Sequence, residues 1–98
     1  MKVLTQSAQA FVERAGLSPE ALGDRKRYDG YLAESRAVLA FVDAARTEYG
    51  FSWQSIGQAV NRHHSTLIKN MQKNPDGNHI DVYFDLACKC IQNEIENL

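Results

Sequence analysis

Nowhere does the sequence hold an uninterrupted apolar stretch near the roughly 20 residues a membrane-spanning helix needs. The opening Met1-Lys2-Val3-Leu4-Thr5-Gln6 is broken by polar residues too early for a secretory core. Cysteine is scarce: the two thiols, Cys88 and Cys90, lie two apart in a segment of helical period, where they face different sides and cannot bridge. That usage argues against a disulfide scaffold and for free, partly buried thiols in a reducing, cytoplasmic compartment. Neither sign of charge dominates, with 11 Lys and Arg against 12 Asp and Glu for a net −1, so total charge alone names no partner. No Cys-x-x-Cys pair and no nucleophile–base–acid set stands out, so the expectation is a protein that is not an enzyme and uses no cofactor or metal. The candidate soft ligands are His63, His64, His79, Cys88 and Cys90, and adjacent histidines on a helix are expected to diverge.

What is present is a chain long enough for one core and too short for two, 98 residues with 44% hydrophobic and 23% charged. Its charge is uneven. Residues 1–74 carry ten Lys and Arg against seven Asp and Glu, a balance of +3, whereas 75–98 carry Lys89 against five acids, a balance of −4. A mildly basic body with an acidic tail is compatible with nucleic-acid binding without demonstrating it.

Helical period dominates, and the fold expected is all-α, a small bundle of five to six helices. The first helix is expected over Thr5 to Ala15, with Ala8, Phe11, Val12 and Ala15 inward and Gly16 as its stop. A short helix follows in Leu17-Ser18-Pro19-Glu20-Ala21-Leu22, with Ser18 as cap and Pro19 at the first helical position. The longest helix is expected over Tyr31 to Tyr49, with Val38, Leu39, Val42, Ala45 and Tyr49 as its stripe and Gly50 closing it. Ser52 caps a two-turn helix from Trp53 to Val60, on which Trp53 reads as a core anchor in register with Ile56 and Val60. A tight turn at Asn61 and Arg62 leads to a helix over His63 to Lys73, with Leu67, Ile68 and Met71 inward and Lys69, Asn70 and Lys73 outward. Asn74-Pro75-Asp76-Gly77-Asn78 breaks the pattern. The last helix runs from Asp81 to about Asn97, with Phe84, Cys88, Ile91, Ile95 and Leu98 on one face. A helix of that length is marginal alone, so the face is expected to pack on the protein's own core or to form a homodimer or partner interface.

Two short helices around a tight turn have the outline of a helix-turn-helix. The segment Ile56-Gly57-Gln58-Ala59-Val60-Asn61-Arg62-His63-His64-Ser65-Thr66-Leu67 resembles the signature of the C-terminal DNA-binding domain of the bacterial replication initiator DnaA. The resemblance rests on the Ile-Gly pair, the apolar residue three further on, the basic residue, and the His-Ser-Thr-aliphatic run. Ala10 to Leu22 is similar to that domain's first helix and following turn, Arg25-Lys26-Arg27 falls at its basic loop, and Ser35-Arg36 opens the long helix similarly; the likeness covers about residues 6–74. It implies a DNA-binding domain over 1–74, with 75–98 as an added acidic helix. The initiator's ATPase module has no counterpart here, and no glycine-rich phosphate loop is present, so a stand-alone module from a bacterium or phage is the expectation.

By that resemblance His63, His64, Ser65 and Thr66 would enter the major groove and read bases, and Arg25, Lys26 and Arg27 would reach the minor groove or a phosphate. Arg36, Arg46, Arg62, Lys69 and Lys73 are candidate phosphate contacts, which position without reading. The alternative for Ser65 and Thr66 is simple helix capping, and for the basic residues a solvated surface. His63 departs from the family, which usually has Asp there; an acid accepts a hydrogen bond from the cytosine amino group, a role imidazole does not easily take. The turn is one residue shorter than the common double-glycine form, with Asn61 tolerating positive φ. The partner implied is double-stranded DNA, in replication or transcription control. The competing expectation is a protein-interaction module on the same scaffold, favoured by the net charge and by His63.

Overall fold

Residues 3–18, 22, 32–73 and 81–97 are described by a computed structural model, in which the side chains at 32–35, 70, 73 and 81 are left aside. Among them five helices and no strand occur: α1 (Val3–Arg14), α2 (Leu32–Thr47), α3 (Trp53–Val60), α4 (His64–Lys73) and α5 (Asp81–Glu96). The fold is all-α. The expected short helix between α1 and α2 falls almost wholly outside the described residues, as do Arg25, Lys26 and Arg27.

α1 begins two residues before the expected Thr5, and the two extra residues, Val3 and Leu4, are buried. Ser7, polar by composition, is fully buried because its hydroxyl donates to the Val3 carbonyl at 2.7 Å, so its burial leaves no polar group unpaired. The helix ends in a Schellman arrangement: Gly16 takes φ +71°, its N–H reaches the Glu13 carbonyl, and the Leu17 N–H reaches the Val12 carbonyl at 3.0 Å. Gly50 closes α2 in the same left-handed region, at φ +67°.

α2 is the central element and touches all four other helices. Its buried surface is correspondingly wider than the expected stripe. Val38, Val42 and Ala45 are buried as expected and Leu39 is half-buried, but Ala37, Ala40, Phe41 and Ala44 are buried too. The alanines let neighbouring helices approach, and Phe41 sets its ring 5.4 Å from that of Phe11 on α1. Tyr83 of α5 meets the same Phe11 ring edge-on at 6.2 Å.

α5 packs in cis, against α1 and α2, which together form its principal contacts. Of the expectations for this helix, packing on the chain's own core is the one its contacts within the chain match. The buried centre is Ala87, Cys90 and Ile91, with Phe84, Cys88 and Ile95 half-buried beside it, so the stripe is rotated slightly from the expected one. Tyr49 ties the end of α2 to this helix by donating to the Cys88 carbonyl at 3.0 Å. Both cysteines are free, Cys88 half-buried and Cys90 buried. Burial pushes both thiols up; at Cys88 the nearby carboxylates Glu48 and Asp85 add to it, and at Cys90 the Arg14 guanidinium opposes it. No helix among the described residues is long and apolar enough to cross a membrane.

Candidate functional site

α4 rests mainly on α3 and α2, adding Leu67 to the shared core, and the geometry of the α3–α4 connection decides what its first turn presents. Ser52 caps α3 as expected: its backbone is extended and its Oγ accepts the Ser55 N–H at 3.1 Å. At the other end Asn61 is left-handed at φ +56°, ψ +46°, and both its N–H and that of Arg62 reach the Gly57 carbonyl. The turn therefore folds back over Gly57. A Cβ at Gly57 would lie 2.5 Å from the Arg62 carbonyl oxygen and 3.4 Å from the His64 nitrogen, so the absence of a side chain there is what allows the close approach. Ile56, Val60 and Leu67 are fully buried beneath the unit, and Met71 packs at the edge of the same core.

Trp53 is half-buried against the core, in the anchoring role expected of it. Arg46 lies over its ring, 5.2 Å from the centroid, and donates to the Phe51 carbonyl at 3.0 Å. Its guanidinium thus holds the α2–α3 junction in addition to any outward role. Arg62 is similarly engaged, half-buried and donating to the Val60 carbonyl at 3.0 Å. Arg36 and Lys69 are exposed; Lys73 ends α4, with its side chain outside the described set.

α4 starts at His64, one residue later than expected, because His63 is its cap. The Ser65 N–H donates to His63 Nδ1 at 3.2 Å, and the Ser65 hydroxyl lies 2.6 Å from the same nitrogen. Thr66 and Leu67 N–H groups both reach the His63 carbonyl. Outside the helix, the His63 ring is free to swing over its neighbour: the His63 and His64 rings stack, with centroids 4.3 Å apart and planes at 29°. The expectation that adjacent histidines diverge is therefore overturned, for the reason that only one of them is helical. His63 and Ser65 are exposed; His64 and Thr66 are half-buried.

The two helices frame an open groove of about 400 Å³ lined by Gln54, Gly57, Gln58, Asn61, Arg62, His63 and His64. It brings together three sequence-identified residues, Arg62, His63 and His64, with two that were missed. Gln54 and Gln58 are exposed one turn apart on α3, on the side opposite Ile56 and Val60, and that four-residue spacing was the available signal. A second signal is electrostatic. Residues 49–75 contain no Asp or Glu and three cations, Arg62, Lys69 and Lys73, so the α3–α4 unit is positive within a chain of net −1. Among the described residues no cluster of three or more His, Cys, Asp or Glu is arranged to hold a metal ion. Comparison with protein-family models, curated proteins and solved structures gives no match for this chain.

Proposed function

We propose that the chain binds double-stranded DNA sequence-selectively, with α3–turn–α4 acting as a helix-turn-helix and α4 as its recognition helix. In this reading it modulates replication or transcription without ATPase activity. The observation that carries the proposal is that one helix–turn–helix unit, free of acids and carrying three cations, places Arg62, His63 and His64 together at the start of α4. Phosphates meet Arg62, Lys69 and Lys73, whose charge neutralises the backbone and sets position. Base edges meet His63, His64, Ser65 and Thr66 in the first turn of α4, which is where a recognition helix carries its readers. Gln54 and Gln58 stand beside them with amides able to pair bidentately with adenine. The acids of α1, α2 and α5 lie outside the groove's own lining, where they moderate non-specific attraction, although Glu13 of α1 shares a neighbouring cavity with Gln58 and Asn61. The resemblance to the DnaA C-terminal domain points the same way.

The second reading, a protein-docking scaffold, draws on the net charge and on exposed Val82 in the acidic last helix. A mobility-shift assay with random duplex at two salt concentrations separates the two. Salt-sensitive retardation supports DNA binding, and its absence at low salt supports the scaffold. Arg62→Ala and Lys69→Ala would weaken binding across all sequences, whereas His64→Ala and Thr66→Ala would cost about 1–3 kcal/mol on a preferred site and less on random DNA. Equal losses on both kinds of DNA would reduce His64 and Thr66 to positioning groups.

A further inference from the structure

His63 carries a constraint that goes beyond its place in the groove, and the inference drawn from it rests on the DNA-binding reading above. The donor at its Nδ1 is a backbone amide, the Ser65 N–H at 3.2 Å, which can only donate. With that amide as donor, Nδ1 is the acceptor, which puts the proton of the neutral imidazole on Nε2. In that tautomer the Ser65 hydroxyl, 2.6 Å from Nδ1, can donate to the same nitrogen. The stack on His64 at 4.3 Å fixes the plane of the ring. Its acceptor is consumed by the helix cap, its far nitrogen is a donor, and the residue is exposed and lines the groove.

We propose that His63 is a specificity-determining residue that reads a guanine, by donating from Nε2 to the N7–O6 edge in the major groove. The chemistry discriminates among the bases. Guanine offers two adjacent acceptors, N7 and O6; adenine offers N7 flanked by an amino donor; thymine offers a single acceptor, O4, beside its bulky methyl; cytosine offers an amino donor. A ring whose acceptor is occupied gains least from cytosine, the base that an acid at this position would select.

The test separates capping from reading. Serine caps a helix as well as asparagine or aspartate does, but its hydroxyl is held close to the backbone and does not extend into the groove as the far Nε2–H of the imidazole does. His63→Ser therefore keeps the melting midpoint of the native chain, while His63→Ala lowers it. Duplexes selected from a randomised pool by the native chain carry a fixed G·C pair at one step. With His63→Ser that step becomes degenerate, and affinity for the native site falls about tenfold, the lower range for a base contact made by one donor. Nitrogen-15 NMR of the free protein shows His63 protonated at Nε2 with Nδ1 bare. A native tautomer protonated at Nδ1, or identical selected sites for native and His63→Ser chains, overturns the proposal. If the native chain selects nothing and shows no salt-sensitive binding, the reading of the site fails and the proposal falls with it. That outcome is distinguishable from sites that are selected but do not depend on His63.

Discussion

Replacing Gly57 by alanine sets two local effects against each other. In an ordinary helix interior the change is favourable by about 0.8–1.0 kcal/mol, because alanine loses less backbone entropy. At this position the new Cβ would lie 2.5 Å from the Arg62 carbonyl oxygen. That atom belongs to the backbone of the turn and cannot rotate aside. Relief requires the turn to move outward, which stretches the Arg62 N–H to Gly57 carbonyl bond of 2.9 Å and shifts the Nδ1-capped start of α4. Forced overpacking of this kind costs about 1–3 kcal/mol, and a 2.5 Å contact with fixed backbone belongs in the upper half of that range, about 2–3, so overpacking outweighs propensity and the net loss is about 1–2 kcal/mol. For a domain of this size that lowers the melting midpoint by roughly 5–15 °C. Thermal and urea denaturation followed by circular dichroism measure it. An alanine variant as stable as the native chain, or more so, would refute the argument that the turn folds back on Gly57.

Two further predictions concern the core and pH. Ile91→Ala removes a fully buried side chain of α5 and should cost about 2–5 kcal/mol, while Val82→Ala, 75% exposed on the same helix, should stay within about 0.5 kcal/mol; equal effects would mean that α5 is not docked. Cys88, Cys90 and Tyr49 all have ionisation raised chiefly by burial, so the folded state holds their protons more tightly than the unfolded chain. Their contribution is fully present below the ordinary thiol range of about pH 8.5 and is lost as pH rises through the raised folded values, so the melting midpoint should fall on the alkaline side. Cys88→Ser with Cys90→Ala should flatten that fall, and an unchanged alkaline slope in the double variant would contradict the assignment.

The punctuation of the fold was legible in the sequence, because each signal is local. Gly16 and Gly50 stop helices, Ser52 caps one, and Asn61 supplies the left-handed residue of a shortened turn. Identifying the buried set was harder where burial depends on neighbours. Ala40 and Ala44 lie off the simple stripe of α2, yet they are buried because that helix touches the other four, whereas Phe41, three residues from Val38 and four from Ala45, continues the stripe. Ser7 is polar by type and nothing in the pattern marks it as buried, but its own helix satisfies its hydroxyl. The register of α5 shifted toward Ala87 and Cys90, residues small enough to seat the helix closely on α1 and α2. At the site, residue type pointed to His63 and His64, but nothing in the sequence marks histidine as a cap, so neither the stacked pair nor the occupied Nδ1 could be read in advance. Dividing the charge at Asn74 also concealed the acid-free interval 49–75, which is the sharper electrostatic boundary.

The central claim is that the α3–α4 face binds duplex DNA through a small number of cations, and the salt dependence of affinity tests it most directly. Three phosphate contacts, from Arg62, Lys69 and Lys73, give a slope of log affinity against log salt of about −2.7, or a loss of about 40-fold between 50 and 200 mM salt. Contributions from Arg25, Lys26 and Arg27 would raise the loss toward about 2000-fold. Fluorescence anisotropy of a labelled duplex over that range should return a slope between about −2.7 and −5.4, shallower by about 0.9 in Lys69→Ala. Absence of binding at 50 mM salt, or a slope indifferent to Lys69, would contradict the account.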